Sequence, residues 1–350
     1  MTVLRSVHRR SLVAAVLAAG LLAGCAGSPS FLEPSSMIAS RQAALFRLLL
    51  VPSAAVFLLV EGWLIFNVVR FRRRSSDQGL APQVHGHPAL EITWTVLPIL
   101  LVTALFVLTV GTINAIAAPA GSPQDIRVHV IGHRWWWEFE YPDLHILTAN
   151  ELHVPANAVV QIQVDSVDVI HSFWVPQLSG KVDAIPGQTN ELWFRADQPG
   201  EYYGQCSEYC GLNHANMRVT VIVDTPQDFD AWVENQQAPP PQPDGELAQK
   251  GHDLITQGIC SNCHILGLEV PDESHQPSPA EAAGVRSHVG PNLNHLLSRS
   301  MIAGETIELT EANLASWLTQ NQVMKPGNDM VVNLTDEDVA ALMAYLKTLK

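Results

Sequence analysis

The chain has 350 residues, 47% of them apolar and 15% charged, which is enough apolar material for two or three cores and excludes a disordered chain. Its formal charge of −14 is uneven: residues 1–121 carry nine Arg, no Lys and four acids, residues 122–234 sixteen acids against five bases, and residues 245–350 thirteen against six. Acidic domains of this kind exclude nucleic acid as a partner and suit a basic protein.

The chain opens on "MTVLRSVHRR" and the short apolar run "SLVAAVLAAGLLAG", the layout of a secretory signal, which predicts removal of residues 1–24. "LAGC" ahead of "AGSPS" is similar to the bacterial lipoprotein cleavage box, which makes Cys25 a lipidation site and a membrane anchor. An uncleaved signal anchor with an incidental cysteine is the alternative. Within residues 25–121, two apolar stretches at 48–69 and 92–118 are each long enough to cross a bilayer as helix. The basic run "RFRRR" between them, Arg70 to Arg74, belongs on the cytoplasmic side, so the mature N-terminus and everything after residue 120 lie outside. Glu61 and Glu91, acids within or beside these spans, suit a hairpin packed against a larger membrane partner, or simply a place near the interface.

Residues 122–235 change to short β-rich runs, "IRVHVIGH", "VVQIQVDSV", "NELWFRA" and "MRVTVIV", separated by Pro, Gly and Asn turns at sandwich-like spacing. An all-β domain is predicted. Four of the five cysteines fall in two pairs, Cys206 with Cys210 and Cys260 with Cys263, which is unlike a disulfide framework. The first pair belongs to "CSEYCGLNHANM", in a loop between a strand ending near Tyr203 and one starting near Arg218. Its thiolates, His214 and Met217 are donors that suit copper in two oxidation states. "DVIHSFWVP" offers His171, at the end of an earlier strand, as a second imidazole. Because a mononuclear site needs one thiolate, the second points to two bridged coppers. Zinc on Cys2His2, or a disulfide, stays open as an alternative.

The proline-rich run at 236–245, "QQAPPPQPDG", predicts an extended, semi-rigid linker. Residues 246–350 turn helical, with "TEANLASWLTQ" and "TDEDVAALMAYLKTLK" showing amphipathic spacing behind Thr or Asp starts. "CSNCH" is the c-type haem attachment sequence: Cys260 and Cys263 form the thioethers and His264 ligates iron, a redox-active C-x-x-C being the bland alternative. The sixth iron ligand should be a methionine before the last helix. Met330, after Pro326 and Gly327, is favoured over Met324.

Together, "EITWTVLP", "GHRWWWEFEY", "DVIHSFWVPQLSGKVDAIPG" and the cysteine cluster, in this order, resemble cytochrome c oxidase subunit II over nearly the whole chain. The resemblance is to the bacterial caa-type form, with a cytochrome c domain fused at the C-terminus. It implies a multidomain fold: a two-helix transmembrane hairpin, an all-β cupredoxin-like barrel or sandwich, and an all-α class I cytochrome c domain. It implies a dinuclear copper A centre held by His171, Cys206, Cys210, His214 and Met217, with Glu208 giving its backbone carbonyl and its carboxylate reaching a magnesium ion at the subunit I boundary. Trp135 matches the family's entrance for electrons from cytochrome c, with Trp136 and Trp137 open to a role in core packing. Glu91 matches the acid at the mouth of a proton path, with a helix-end role as the alternative. Asp165, Asp168 and Asp183 fall where the family docks basic cytochromes, or form a solvated face. Trp136 stands where many relatives carry tyrosine. His129, His133, His145 and His153 are expected to be structural.

The function implied is that of the electron-input subunit of a terminal respiratory oxidase. It accepts electrons from cytochrome c and passes them to subunit I, which reduces dioxygen to water with proton translocation. The implied partners are subunits I and III and a cytochrome c or other donor. The location is a bacterial inner membrane, with the copper and haem domains on the outer face. A copper-A-containing nitric oxide reductase and a lipid-anchored redox sensor are the other readings. Quinol oxidase subunits share the fold but lack the cysteines kept here.

Overall fold

The computed structural model describes residues 29–72, 85–117, 125–267 and 289–350. The signal at 1–24, Cys25, Arg73 and Arg74 of the basic loop, and the last residue of the second predicted span lie outside the described residues. Two helices, α1 (Met37–Arg70) and α2 (Pro88–Ala115), have 34 and 28 residues. At about 1.5 Å per residue both exceed the roughly 30 Å of a bilayer's hydrocarbon core. Among the described residues these two are long and apolar enough to cross a membrane. α1 begins eleven residues before the predicted span. Its first turns are not lipid-facing: Ser36 caps the helix, its hydroxyl donates to the Leu178 carbonyl, and Ile38, Ala39 and Ala43 are buried. Glu61 lies in a groove between the helices with Pro52, Val56, Leu101 and Leu105.

The β-domain is a sandwich of two five-stranded sheets. The first, in the order β3-β2-β1-β5-β8, holds β1 (Ile126–His133), β2 (Trp136–Tyr141), β3 (Ile146–Ala149), β5 (Val160–Ser166) and β8 (Asn190–Phe194). The second, β4-β10-β9-β6-β7, holds β4 (Glu151–Pro155), β6 (His171–Trp174), β7 (Val182–Ala184), β9 (Gly200–Cys206) and β10 (Arg218–Asp224). All four predicted strand runs are present as β1, β5, β8 and β10. Alternate side chains point into the sandwich: Trp137, Phe139 and Tyr141 of β2 join Leu152, Ile162, Phe173 and Val221 in one core. Helix α3 (Pro226–Gln236), capped by Thr225, packs Trp232 and Val233 on the sandwich, with Trp232 stacked 4.6 Å from His153.

The C-terminal domain contains α4 (Glu246–Thr256), α5 (Glu311–Met324) and α6 (Asp336–Leu346), with a two-stranded ribbon, β11 (Met301–Ile302) and β12 (Ile307–Glu308). Thr310 and Thr335 cap α5 and α6, and Asp338 completes a capping box at Thr335. Ile255, Leu314, Leu342 and Tyr345 form its core.

Simple alternation puts Glu138, Glu151 and Thr220 on outward faces of β2, β4 and β10, yet all three are buried. The C-terminal domain covers two of them: the Ser300 amide donates to Glu151 Oε1 at 2.6 Å, and the Thr220 hydroxyl donates to Glu305 at 2.9 Å. The linker is held as well. The Ala238 carbonyl is 3.1 Å from His295 Nε2, and the Tyr345 hydroxyl donates to the Pro241 carbonyl at 3.0 Å.

Candidate metal centres

Cys206 is the last residue of β9, which runs three residues past the end predicted near Tyr203. His171 opens β6 where a strand end was expected. β6 and β9 pair antiparallel, with Phe173 opposite Cys206, which brings the histidine beside the cysteine. The remaining candidates come from the turn that follows. Gly211 takes φ +119, a conformation open to glycine, and a Cβ there would lie 3.1 Å from the Trp135 ring. The turn closes as His214 N–H donates to Gly211 and Cys206 N–H to the Met217 carbonyl.

The side chains converge. Cys206 Sγ lies 3.8 Å from Cys210 Sγ, 3.9 Å from His171 Nδ1 and 3.2 Å from the Glu208 carbonyl oxygen. Cys210 Sγ lies 3.6 Å from His214 Nδ1 and 3.8 Å from Met217 Sδ. Each sulfur therefore has its own imidazole and one weaker donor, and His171, Cys206 and Cys210 offer ligand atoms within 4.8 Å of one another, all buried. The Cys210 thiol hydrogen-bonds Cys206 and, against burial, brings it down to about 3, while the resulting thiolate holds Cys210 well above the usual thiol range. The pair thus carries one negative charge, and metal binding would expel the second proton. Two soft thiolates, two imidazoles, a thioether and a carbonyl arranged around two sulfurs fit a pair of copper ions; a lone tetrahedral zinc would leave donors unused.

His171 is oriented from behind: its Nε2 is 2.8 Å from Asp168 Oδ1. Burial works against charging the ring, but the hydrogen bonds and charges of Asp168 and Cys206 together outweigh it and raise His171, with Asp168 held low in return. Such a partner fixes the imidazole so that Nδ1 faces the sulfurs. Asp165 is also occupied: it shares His129 with Glu140 at 2.7 and 2.9 Å. Despite burial, the two carboxylates raise His129 to about 9. His153 meets Asp224 at 2.8 Å, so these histidines are structural.

A cavity of about 320 Å³ in the C-terminal domain is lined by Cys260, Cys263, His264 and Met330. Met324 is not in its wall. Burial lowers His264, and its Nδ1 is 2.8 Å from the Pro291 carbonyl, so the ring is neutral, donates there and leaves Nε2 free for a metal. Gly290 presses on this ring: a Cβ would sit 2.6 Å from His264 Cε1. Arg299, also in the wall, is buried and donates Nη2 to the Asn292 carbonyl at 2.7 Å, but its Nε has no hydrogen-bond partner among the described residues. Two thiols, a neutral histidine and a methionine in one cavity wall, with an orphaned guanidinium N–H, fit a covalently attached haem with acidic edge groups.

The same cavity has Trp135 and Trp136 of the β-domain in its wall. Trp135 is buried, and its Nε1 donates to the Cys210 carbonyl at 3.1 Å. Trp136 stacks on His133 at 4.1 Å and donates to the Val289 carbonyl at 3.2 Å. Trp137 is core, edge-on to Phe173 at 5.3 Å. Glu208 is exposed, and Glu91 lies in the first turn of α2, distant in sequence from both centres. Arg299 and Lys325 are not singled out by the sequence, and Asp168, expected to serve docking or a solvated face, is the partner of His171. The nearest signal was a lone lysine before Pro-Gly in an acidic domain.

Residues 26–110 match the family described as cytochrome C oxidase subunit II, transmembrane domain, residues 144–224 its periplasmic domain, and residues 248–350 cytochrome c. A cytochrome c oxidase subunit 2 of Alkalihalophilus pseudofirmus is 33% identical over 337 residues, covering 94% of this chain and 94% of the relative. One from Bacillus subtilis is 32% identical over 364 residues, covering 98% of each. The solved periplasmic domain of subunit II of cytochrome oxidase of Bradyrhizobium japonicum is 37% identical, covers 33% of this chain and 95% of that one, and has a TM-score of 0.32. With relatives matched nearly end to end and all three segments in one order, the chain belongs to the cytochrome c oxidase subunit II family, in the form that carries a C-terminal cytochrome c domain.

Proposed function

We propose that this chain is the electron-input subunit of a terminal haem-copper oxidase, taking electrons from cytochrome c or another donor and passing them through copper A to subunit I for dioxygen reduction. The observation that carries this reading is the shared wall. Trp135 lines the cavity that bears Cys260, Cys263, His264 and Met330, and hydrogen-bonds the carbonyl of Cys210. When bound, a c-type haem and a copper pair supply reversible one-electron chemistry.

The protein's own residues do the rest. Cys260 and Cys263 would anchor the haem, His264 and Met330 would ligate its iron, and Arg299 would offer its free Nε–H to an acidic edge. His171, Cys206, Cys210, His214, Met217 and the Glu208 carbonyl would hold the coppers. Trp135 fills the space between the centres with an aromatic ring and keeps water out. The exposed Glu208 carboxylate would reach a magnesium ion at the subunit I boundary, and Glu91 would serve the mouth of a proton path there. The α1–α2 hairpin packs on subunits I and III in a bacterial inner membrane, with both redox domains outside.

The test is metal analysis with visible and electron paramagnetic resonance spectra of the full-length protein. The expected result is two coppers sharing one unpaired electron and one low-spin haem c per chain, with Cys206→Ser abolishing the shared spin and sparing the haem. Zinc, or a single copper with localised spin, refutes the assignment. Oxygen uptake by the purified complex separates this reading from a nitric oxide reductase.

A further inference from the structure

Lys325 ends the segment after α5 and precedes the Pro326–Gly327 turn that leads to Met330. It is 4% exposed, which is rare for lysine. Its Nζ lies 2.8 Å from the Ala303 carbonyl oxygen, 2.9 Å from that of Asn216 and 3.3 Å from that of Trp135. Three acceptors with no donor among them require three N–H groups. The cage therefore fits an ammonium, since a neutral amine would turn its lone pair on a carbonyl oxygen. Burial lowers the group to about 8, which still leaves it mostly protonated at neutral pH.

The three carbonyls come from three separate segments, two of them in the β-domain. Trp135 is the ring against Cys210, and Asn216 immediately precedes Met217. Around this point the Arg218 amide donates to the Gly304 carbonyl at 3.1 Å, and Asn213 Nδ2 donates to that of Pro326 at 3.0 Å. A buried ammonium is costly wherever its hydrogens are unmatched, so it tolerates a single mutual placement of these segments. An apolar side chain of equal bulk would fill the space and tolerate many.

We propose that Lys325 is a positioning residue that locks the C-terminal domain onto the β-domain in one register, holding Trp135 between the haem cavity and Cys210. The docking part stands on geometry alone, while its consequence for electron transfer rests on the reading under Proposed function.

The test compares Lys325→Met, similar in length but without donors, and Lys325→Gln, with two N–H donors and no charge, in the full-length protein. Native-state hydrogen exchange at the Arg218 amide reads the docking, since its hydrogen bond crosses the interface. In the Met variant exchange should accelerate about tenfold or more, with the Gln variant in between. Haem and copper spectra should be unchanged. Flash-initiated transfer from haem to copper should be slower than in the wild type, because the path through Trp135 is no longer held in one geometry. Wild-type exchange and wild-type transfer in the Met variant overturn the proposal. So does loss of the haem or copper spectrum, which makes Lys325 a folding residue. If wild-type protein carries no such centres, the functional reading fails while the exchange measurement still decides the lock.

Discussion

Glu305, at the bend between β11 and β12, is 5% exposed and takes φ 61. Its Oε2 accepts from the Thr220 hydroxyl, and its Oε1 has no partner among the described residues. The charges facing it are Glu151 and Glu201 of the β-domain and Arg299 of its own domain. Burial, then repulsion from Glu151, raises its carboxyl from 4.5 to about 7. The sign follows from linkage. The docked form binds this proton more tightly than a solvated carboxyl, so ionisation costs nothing below about pH 4.5, costs increasingly as pH rises, and is constant above about pH 7. At about 1.4 kcal/mol per pH unit, that interval amounts to about 3 kcal/mol against the folded, docked protein at alkaline pH. Glu305→Gln removes the ionisation and keeps an acceptor for Thr220. Urea unfolding of full-length wild-type and variant proteins, at intervals from about pH 5 to pH 8, should show the variant's advantage growing with pH and then levelling off. Other titrating groups are common to both proteins and drop out of the difference. Parallel curves, or a wild type that gains on the variant as pH rises, would refute the reasoning.

Trp135→Phe removes the donor to the Cys210 carbonyl and should cost about 1 kcal/mol of stability. It should also slow copper reduction measurably in stopped flow while leaving two coppers bound; wild-type reduction kinetics would remove Trp135 from the path. Gly290→Ala places a Cβ 2.6 Å from the His264 ring. Destabilisation of about 1–3 kcal/mol and a lower fraction of low-spin haem in the visible spectrum are expected.

The legible parts of this chain were those set by local pattern. β1, β5, β8 and β10 follow from alternating apolar residues, and α5 and α6 from Thr caps ahead of amphipathic runs. The sulfur cluster was legible because four donors fall within twelve residues, and His171 because two thiolates call for a second imidazole that "DVIHSFWVP" supplies; the β6–β9 pairing that brings it there was not. What escaped notice depends on long-range contact. The early start of α1 is fixed by Leu178, 142 positions from Ser36, and no local period encodes it. Asp165 and Asp168 read as surface acids, but each is engaged with a histidine. Arg299 and Lys325 look like ordinary solvated cations until the fold buries them.

The linker shows why the interface matters more than the tether. Proline-rich composition suggests a spacer that raises the local concentration of one domain near the other, and for such a spacer length sets the encounter frequency. Here the spacer is itself bound at Ala238 and Pro241, and the strands beneath the C-terminal domain bury Glu151 and Thr220 on faces that an independent β-domain would present to water. Those side chains find partners in Ser300 and Glu305. Withdrawing the C-terminal domain would hand those partners to water and bare the wall formed by Trp135 and Trp136. The outward polarity of β4 and β10 therefore favours a docked resting state, and the distance between the centres is set by side chains in the interface and not by the number of prolines.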